Sequence, residues 1–286
     1  MKQIRLSSIY SYNRCLLALV SLTLFGYADS QSSYTPYKIS IEYAPSYYRY
    51  EEKVFNEETG SKDYFMSLTS VPVIHAFTLD YRRFIHHDWF TQTLATVVLG
   101  NVDYNSDGSG YVNGEDNLIF TLDNSMNYCH NNTFCSSVGY AFRYLDNDSG
   151  LSMTSTGNSG YERENFLHLV PVGFSYRHPL FSSKLSSSLI RWKYYYLLDG
   201  WQISHLSNYS SCDSDLKNKQ RKGFGIEASL RLYSNDRKWF YGANAQYWKI
   251  DESDEVKVPC FGADNVGSEP ENTTFMFGII VGYHYL

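Results

Sequence analysis

Cys129-His130-Asn131-Asn132-Thr133-Phe134-Cys135 sets two thiols and an imidazole within seven residues. Three chemistries use such a set: a metal centre, a redox switch or a plain disulfide. Zinc wants four ligands, and His130 supplies only a third, with no fourth nearby. Cys212 and Cys260 stand far along the chain, and Cys15 near its start. A second group surrounds His205, with Asp199, Asp213 and Asp215 close in sequence. Carboxylates beside an imidazole can activate a water, although no Asp-x-His spacing occurs here. His168 and Ser175 could be drawn into lipid chemistry, but no motif singles them out. The stretch 251–271 carries Asp251, Glu252, Asp254, Glu255, Asp264, Glu269 and Glu271 against Lys257. It reads as solvated charge, with a Ca²⁺ site or a basic partner as alternatives. No catalytic residue, metal or cofactor is assigned from these groups.

The compartment decides what the cysteines do. Lys2, Arg5 and Arg14 precede "CLLALVSLTLFGYA", an apolar stretch of 14 residues ending in small residues at Ala28. That is the layout of a cleaved secretory signal peptide, and it is short for a helix that spans a bilayer. The expected organisation is a leader over 1–28 and a single domain over 29–286. Losing the three basic residues takes the net charge from −6 to −9. Such a chain is a poor nucleic-acid binder, because phosphate contacts rest on clustered Lys and Arg. Four cysteines remain, an even count that favours disulfides in an oxidising compartment.

Aromatic residues make up 17% of the chain, with 27 Tyr, yet no apolar run beyond the leader is long enough for a membrane helix. Alternation with period 2 is plain instead. "KISIEY" sets Lys38, Ser40 and Glu42 against Ile39, Ile41 and Tyr43. "FGIEASLRL" and "FMFGIIVGYHYL" alternate in the same way, which marks strands. Ten are expected, at 37–50, 65–82, 89–104, 116–128, 136–146, 163–178, 184–204, 221–234, 238–250 and 273–286, with eight as the other possible number.

The connections between them run long, short, long, short throughout. "NSDGSGYVNG" is one of the long ones and "NDR" one of the short. That segregation, with an even strand number, predicts an all-β, up-and-down antiparallel barrel in the outer membrane, with short periplasmic turns and long extracellular loops. A β-sandwich has no need to sort its loops by length. A lipocalin-like barrel would turn its apolar side chains inward.

Charge is costly against lipid, so charged strand residues must face the lumen. Strand parity assigns Lys38, Glu42, Asp80, Arg82, Asp123, Arg143, Arg191, Lys193, Glu227 and Arg231 to that face. Interleaved in sign within a narrow barrel, they are expected to pair and plug it. Cys129 and Cys135 flank a short turn, and Cys212 and Cys260 fall in the last two long loops. The pairings expected are therefore Cys129–Cys135 and Cys212–Cys260, since the alternatives would join opposite ends of the barrel.

"GYAFRYLDNDSG", "TSTGNSGYEREN", "DGWQISHLS", "NKQRKGFGIEASL", "QYWKIDESD" and "EPENTT" followed by "GIIVGY" occur in order over 137–286. Together they resemble small porin-family outer-membrane β-barrel proteins of Gram-negative bacteria. The resemblance implies the fold and the outer-membrane location, and no chemistry. It also implies a C-terminal aromatic residue read by the barrel-assembly machinery; here Leu286 follows Tyr285, so that signal is imperfect.

The expected function is display: a monomeric, plugged barrel set in outer-membrane lipid and lipopolysaccharide, meeting a surface or host ligand through its loops, or serving envelope integrity. An omptin-like protease or lipid-modifying barrel is the alternative, and a small-solute channel the next.

Overall fold

The computed structural model describes residues 37–285, apart from 57, 132, 151, 181, 209–211 and 261–262. The leader over 1–28 and Leu286 lie outside the described residues.

Fourteen strands follow in order: β1 (Tyr37–Asn56), β2 (Ser61–Ser70), β3 (Ile74–Phe84), β4 (Trp89–Ser106), β5 (Gly110–Cys129), β6 (Phe134–Asp148), β7 (Glu162–Pro179), β8 (Leu185–Ser204), β9 (Leu216–Gln220), β10 (Gly223–Ser234), β11 (Trp239–Ile250), β12 (Val256–Cys260), β13 (Ala263–Gly267) and β14 (Glu271–Tyr285). Two consecutive pairs each share one position in the wall. β2 and β3 both lie between β1 and β4, and β9 continues the line of β10 beside β8. The wall is therefore a closed antiparallel barrel of ten strands. The final pairing, β1 with β14, runs from Ile39↔Tyr285 to Lys53↔Glu271.

The barrel is inside-out relative to a water-soluble one. On β1, Ser40, Glu42, Ser46, Tyr48, Tyr50 and Glu52 are buried, while Ile41, Tyr43 and Tyr47 are exposed. β14 repeats the pattern, with Phe275, Phe277, Ile279 and Val281 all on the outer face. Aromatic residues ring this apolar belt: Tyr37, Trp89, Trp239 and Tyr285 at the short-turn end, Tyr47, Tyr247 and Phe275 towards the other. Tyr37 and Tyr47 are ten residues apart on one face, which gives about 25 Å along the axis at about 3.3 Å per residue and about 40° of tilt. That is the height of an apolar belt matched to a bilayer.

Five differences from the sequence-based expectation concern the strands and loops; one is β9 (Leu216–Gln220), which pairs with β8 inside the expected long connection 205–220. The expected strand 65–82 is broken at Val71-Pro72-Val73, where Pro72 has no N–H for the ladder. The first long loop is mostly strand, because β1 runs on to Asn56 and β2 starts at Ser61. The second long loop is likewise a hairpin extension, with Ser106 paired to Gly110. The last long loop contains the hairpin β12–β13. Backbone groups above the belt must still find partners, and continuing the ladder is the simplest supply.

Candidate functional site

Ion pairs cross the lumen between facing strands. Arg231 reaches Glu42 by two hydrogen bonds, Nη2 to Oε2 at 2.7 Å and Nε to Oε1 at 3.1 Å. Asp80 accepts from Arg82 (2.7 Å), Arg191 (2.8 Å) and Gln92 (2.8 Å). Lys193 donates to Asp123 at 2.7 Å, and the Tyr195 hydroxyl lies between Asp123 (3.1 Å) and Glu227 (3.3 Å). Aromatic rings lie against glycines: a Cβ on Gly282 would sit 2.0 Å from the Phe240 ring, and one on Gly225 2.4 Å from Trp248. A cavity of about 50 Å³ lies among Glu42, Asp123, Arg143 and Arg231.

Three of the sequence-predicted lumen charges form no ion pair, and the first is Glu227, which accepts from the Tyr195 hydroxyl at 3.3 Å and Gln246 Nε2 at 3.4 Å. Arg143 is buried but lies over the Trp248 ring at 5.0 Å, so a π-face takes the place of an anion. Lys38 is exposed at the short-turn mouth with its Nζ 5.6 Å from the Phe84 ring. Water solvates it there, and it plugs nothing.

Sequence reasoning missed the network at the long-loop end. Glu52 accepts from Arg163 Nη1 at 2.5 Å and from the Tyr50 hydroxyl at 2.8 Å. Glu269, from the last long connection, is buried close to Glu52, Arg163 and Gln202. It is buried, whereas the acidic loop as a whole read as solvated. Burial, then the field of Glu52, hold its carboxyl well above the ordinary glutamate range, and Arg163 only partly opposes them. Asn165 donates to Gln220 at 2.6 Å beside this group. The loop is also fastened to the buried face of β9: Asn218 Nδ2 donates to the carbonyls of Asp254 (3.1 Å) and Gly267 (3.0 Å).

Both cysteine pairs form as expected, Cys129–Cys135 and Cys212–Cys260. The first closes the turn between β5 and β6. His130 is a turn side chain there: its Nε2 is 3.1 Å from Ser136 Oγ and its ring packs on Tyr128 and Phe134. The second joins the last two long connections, and Cys260 packs with Leu216 and Val258 in a small apolar cluster.

Of the carboxylates near His205, only Asp215 meets it, at 3.1 Å from Nδ1. Asp199 pairs instead with Lys219 at 3.2 Å, and Asp213 is exposed. The other ring nitrogen, Nε2, is 3.0 Å from Glu164, a partner that no local spacing announces. Burial works against a charge on the ring, but Glu164 and Asp215 outweigh it and raise the His205 pKa. All three side chains are on the outer face of the wall, not in the mouth. His168 bonds the Tyr140 hydroxyl, and Ser175 is seven residues on, hence on the opposite face of β7.

Compared with solved structures, the chain superposes on the outer membrane protease OmpT from Escherichia coli with a TM-score of 0.56 at 11% identity, covering 90% of this chain and 99% of that one. The translocator domain of the autotransporter NalP from Neisseria meningitidis matches with a TM-score of 0.42 at 11% identity, over 97% of this chain and 96% of that one. An outer membrane channel from Pseudomonas putida F1 matches with a TM-score of 0.42 at 11% identity, over 91% and 100%. No family description matches the chain, and no curated protein does. Identity this low transfers no chemistry from OmpT. What the likeness carries is architecture: the chain has the fold of an outer-membrane β-barrel, ten antiparallel strands closed around a charged and aromatic interior.

Proposed function

We propose that this chain is a monomeric display barrel of the Gram-negative outer membrane, of the porin-like group its motifs resemble, exported by its N-terminal segment. Its lumen is sealed, and its long connections meet a ligand at the cell surface. One observation carries the reading. The middle of the interior is spent on ion pairs, with a cavity of about 50 Å³ among Glu42, Asp123, Arg143 and Arg231, while the last two long connections are built as one unit by a disulfide and an apolar cluster. A rigid scaffold with ordered loops is the common basis for recognition.

The reading is non-catalytic. A general base must offer a free nitrogen to the proton it takes. Both nitrogens of His205 already face carboxylates, which hold the ring charged and leave neither nitrogen free to take a proton from a substrate. The test is envelope fractionation with heat-modifiable gel mobility, followed by protease shaving of intact cells. Recovery with the outer membrane, a mobility shift on heating, and cleavage confined to the long connections are expected. Recovery as a soluble periplasmic protein would overturn the reading.

A further inference from the structure

A pocket of about 170 Å³ opens at the long-loop end, between β2, the β4–β5 hairpin and the connection 149–161. It is smaller than a drug-sized site, which starts at roughly 300 Å³, and is about the bulk of one sugar ring. Its rim is pre-formed. The connection is held on the hairpin by Ser155 N to Tyr111 O at 3.0 Å, Tyr111 N to Ser155 Oγ at 3.2 Å and Thr156 Oγ1 to Ser109 O at 2.7 Å.

Two opposite charges line it, both deeply buried. Glu115 is 4% exposed and Arg163 8%. A carboxylate only accepts hydrogen bonds and a guanidinium only donates them. Glu115 takes one bond, from Ser149 Oγ at 2.8 Å, and Arg163 gives one of its five N–H groups to Glu52. A ligand must therefore donate on one side and accept on the other. An anion would face Glu115 and, behind Arg163, Glu52; a cation would face Arg163. A neutral vicinal diol satisfies both groups, since each hydroxyl donates and accepts. Tyr104, Tyr161 and Phe65 supply apolar faces for the C–H side of such a ring.

We propose that this pocket binds one neutral sugar ring of a surface glycan, its adjacent hydroxyls bridging Glu115 and Arg163. The proposal rests on the display reading and names its ligand class.

The experiment uses the full chain refolded in a detergent without sugar headgroups, titrated with methyl hexosides and methyl N-acetylhexosaminides by saturation-transfer NMR. Saturable binding of at least one is expected. Ser159→Trp, which fills the pocket from an exposed loop position, should abolish it while heat-modifiable mobility is unchanged. Glu115→Gln should weaken it about tenfold, the loss of a charged hydrogen bond. Competition by lipopolysaccharide core oligosaccharide assigns the glycan to the cell's own envelope, and competition by N-acetyllactosamine to a host surface; either supports the site. No binding across the panel, or equal binding by Ser159→Trp, overturns it. A protein that binds no sugar yet passes fractionation and shaving loses only the pocket. One that binds sugar yet fails fractionation loses the display reading instead.

Discussion

Arg231 and Glu42 meet across the lumen in a two-pronged ion pair, each side chain only 6% exposed. Removing one partner of a buried pair leaves the other charge unsolvated, at a cost of about 3–5 kcal/mol. Glu42→Gln should therefore lower the unfolding temperature in detergent clearly, read as the temperature of the heat-modifiable mobility shift. The double replacement Glu42→Leu with Arg231→Met should recover most of the loss. A single variant as stable as the wild type would show that the pair does not hold the interior.

Cys212–Cys260 closes a long stretch of chain, 48 residues apart in sequence, worth about 4 kcal/mol in the chain-entropy model. That constraint acts on the last two long connections and not on the wall. Cys212→Ser with Cys260→Ser should speed proteolysis within 205–215 and 251–268 while the mobility shift persists. Loss of the shift would mean that the loops hold the barrel.

The His205 pKa is raised against burial by Glu164 and Asp215. A raised histidine contributes stability that is complete below its unfolded pKa of about 6.5 and is lost as pH rises through the folded value. Asp215 runs the other way: burial opposes its ionisation, but bonds from Ser207 and His205 lower its pKa, so its share is lost only in acid. The Ser207 amide, which donates to Asp215 at 3.0 Å, should exchange slowly at about pH 6 and faster in alkali. In His205→Asn the alkaline step should vanish.

Glu269 shifts in the same direction as His205 for a different reason. Burial and the Glu52 field raise its pKa, so the folded protein holds a proton that the unfolded chain gives up near pH 4.5. Stability then falls as pH rises from there to the folded pKa. Arg163 faces the pair from β7, and Tyr50 and Tyr161 lie beside it. Protease access to 251–268 should increase with pH in the wild type. In Glu269→Gln, which needs no proton, it should stay flat.

The wall was legible in the sequence wherever lipid or lumen constrains every second residue. "KISIEY" and "FMFGIIVGYHYL" show both faces openly, and parity alone puts Glu42 and Arg231 on the same side. Above the belt that constraint ends. Glu52, Arg163 and Glu269 sit at or beyond the expected strand ends, where water and protein both admit charge and parity carries no signal. Glu164 was invisible as a partner of His205 for another reason: only the β7–β8 register, Glu164 opposite Ile203, brings them together. The Cys212–Cys260 bridge was legible because topology left both residues at one end.

The proposal that the lumen is sealed is tested most directly by single-channel recording of the purified full chain in a planar bilayer. With ion pairs across the middle of the interior and a cavity of about 50 Å³ among them, the account predicts no sustained open level at ordinary salt and voltage. A steady, ohmic open conductance from the wild-type chain would contradict it.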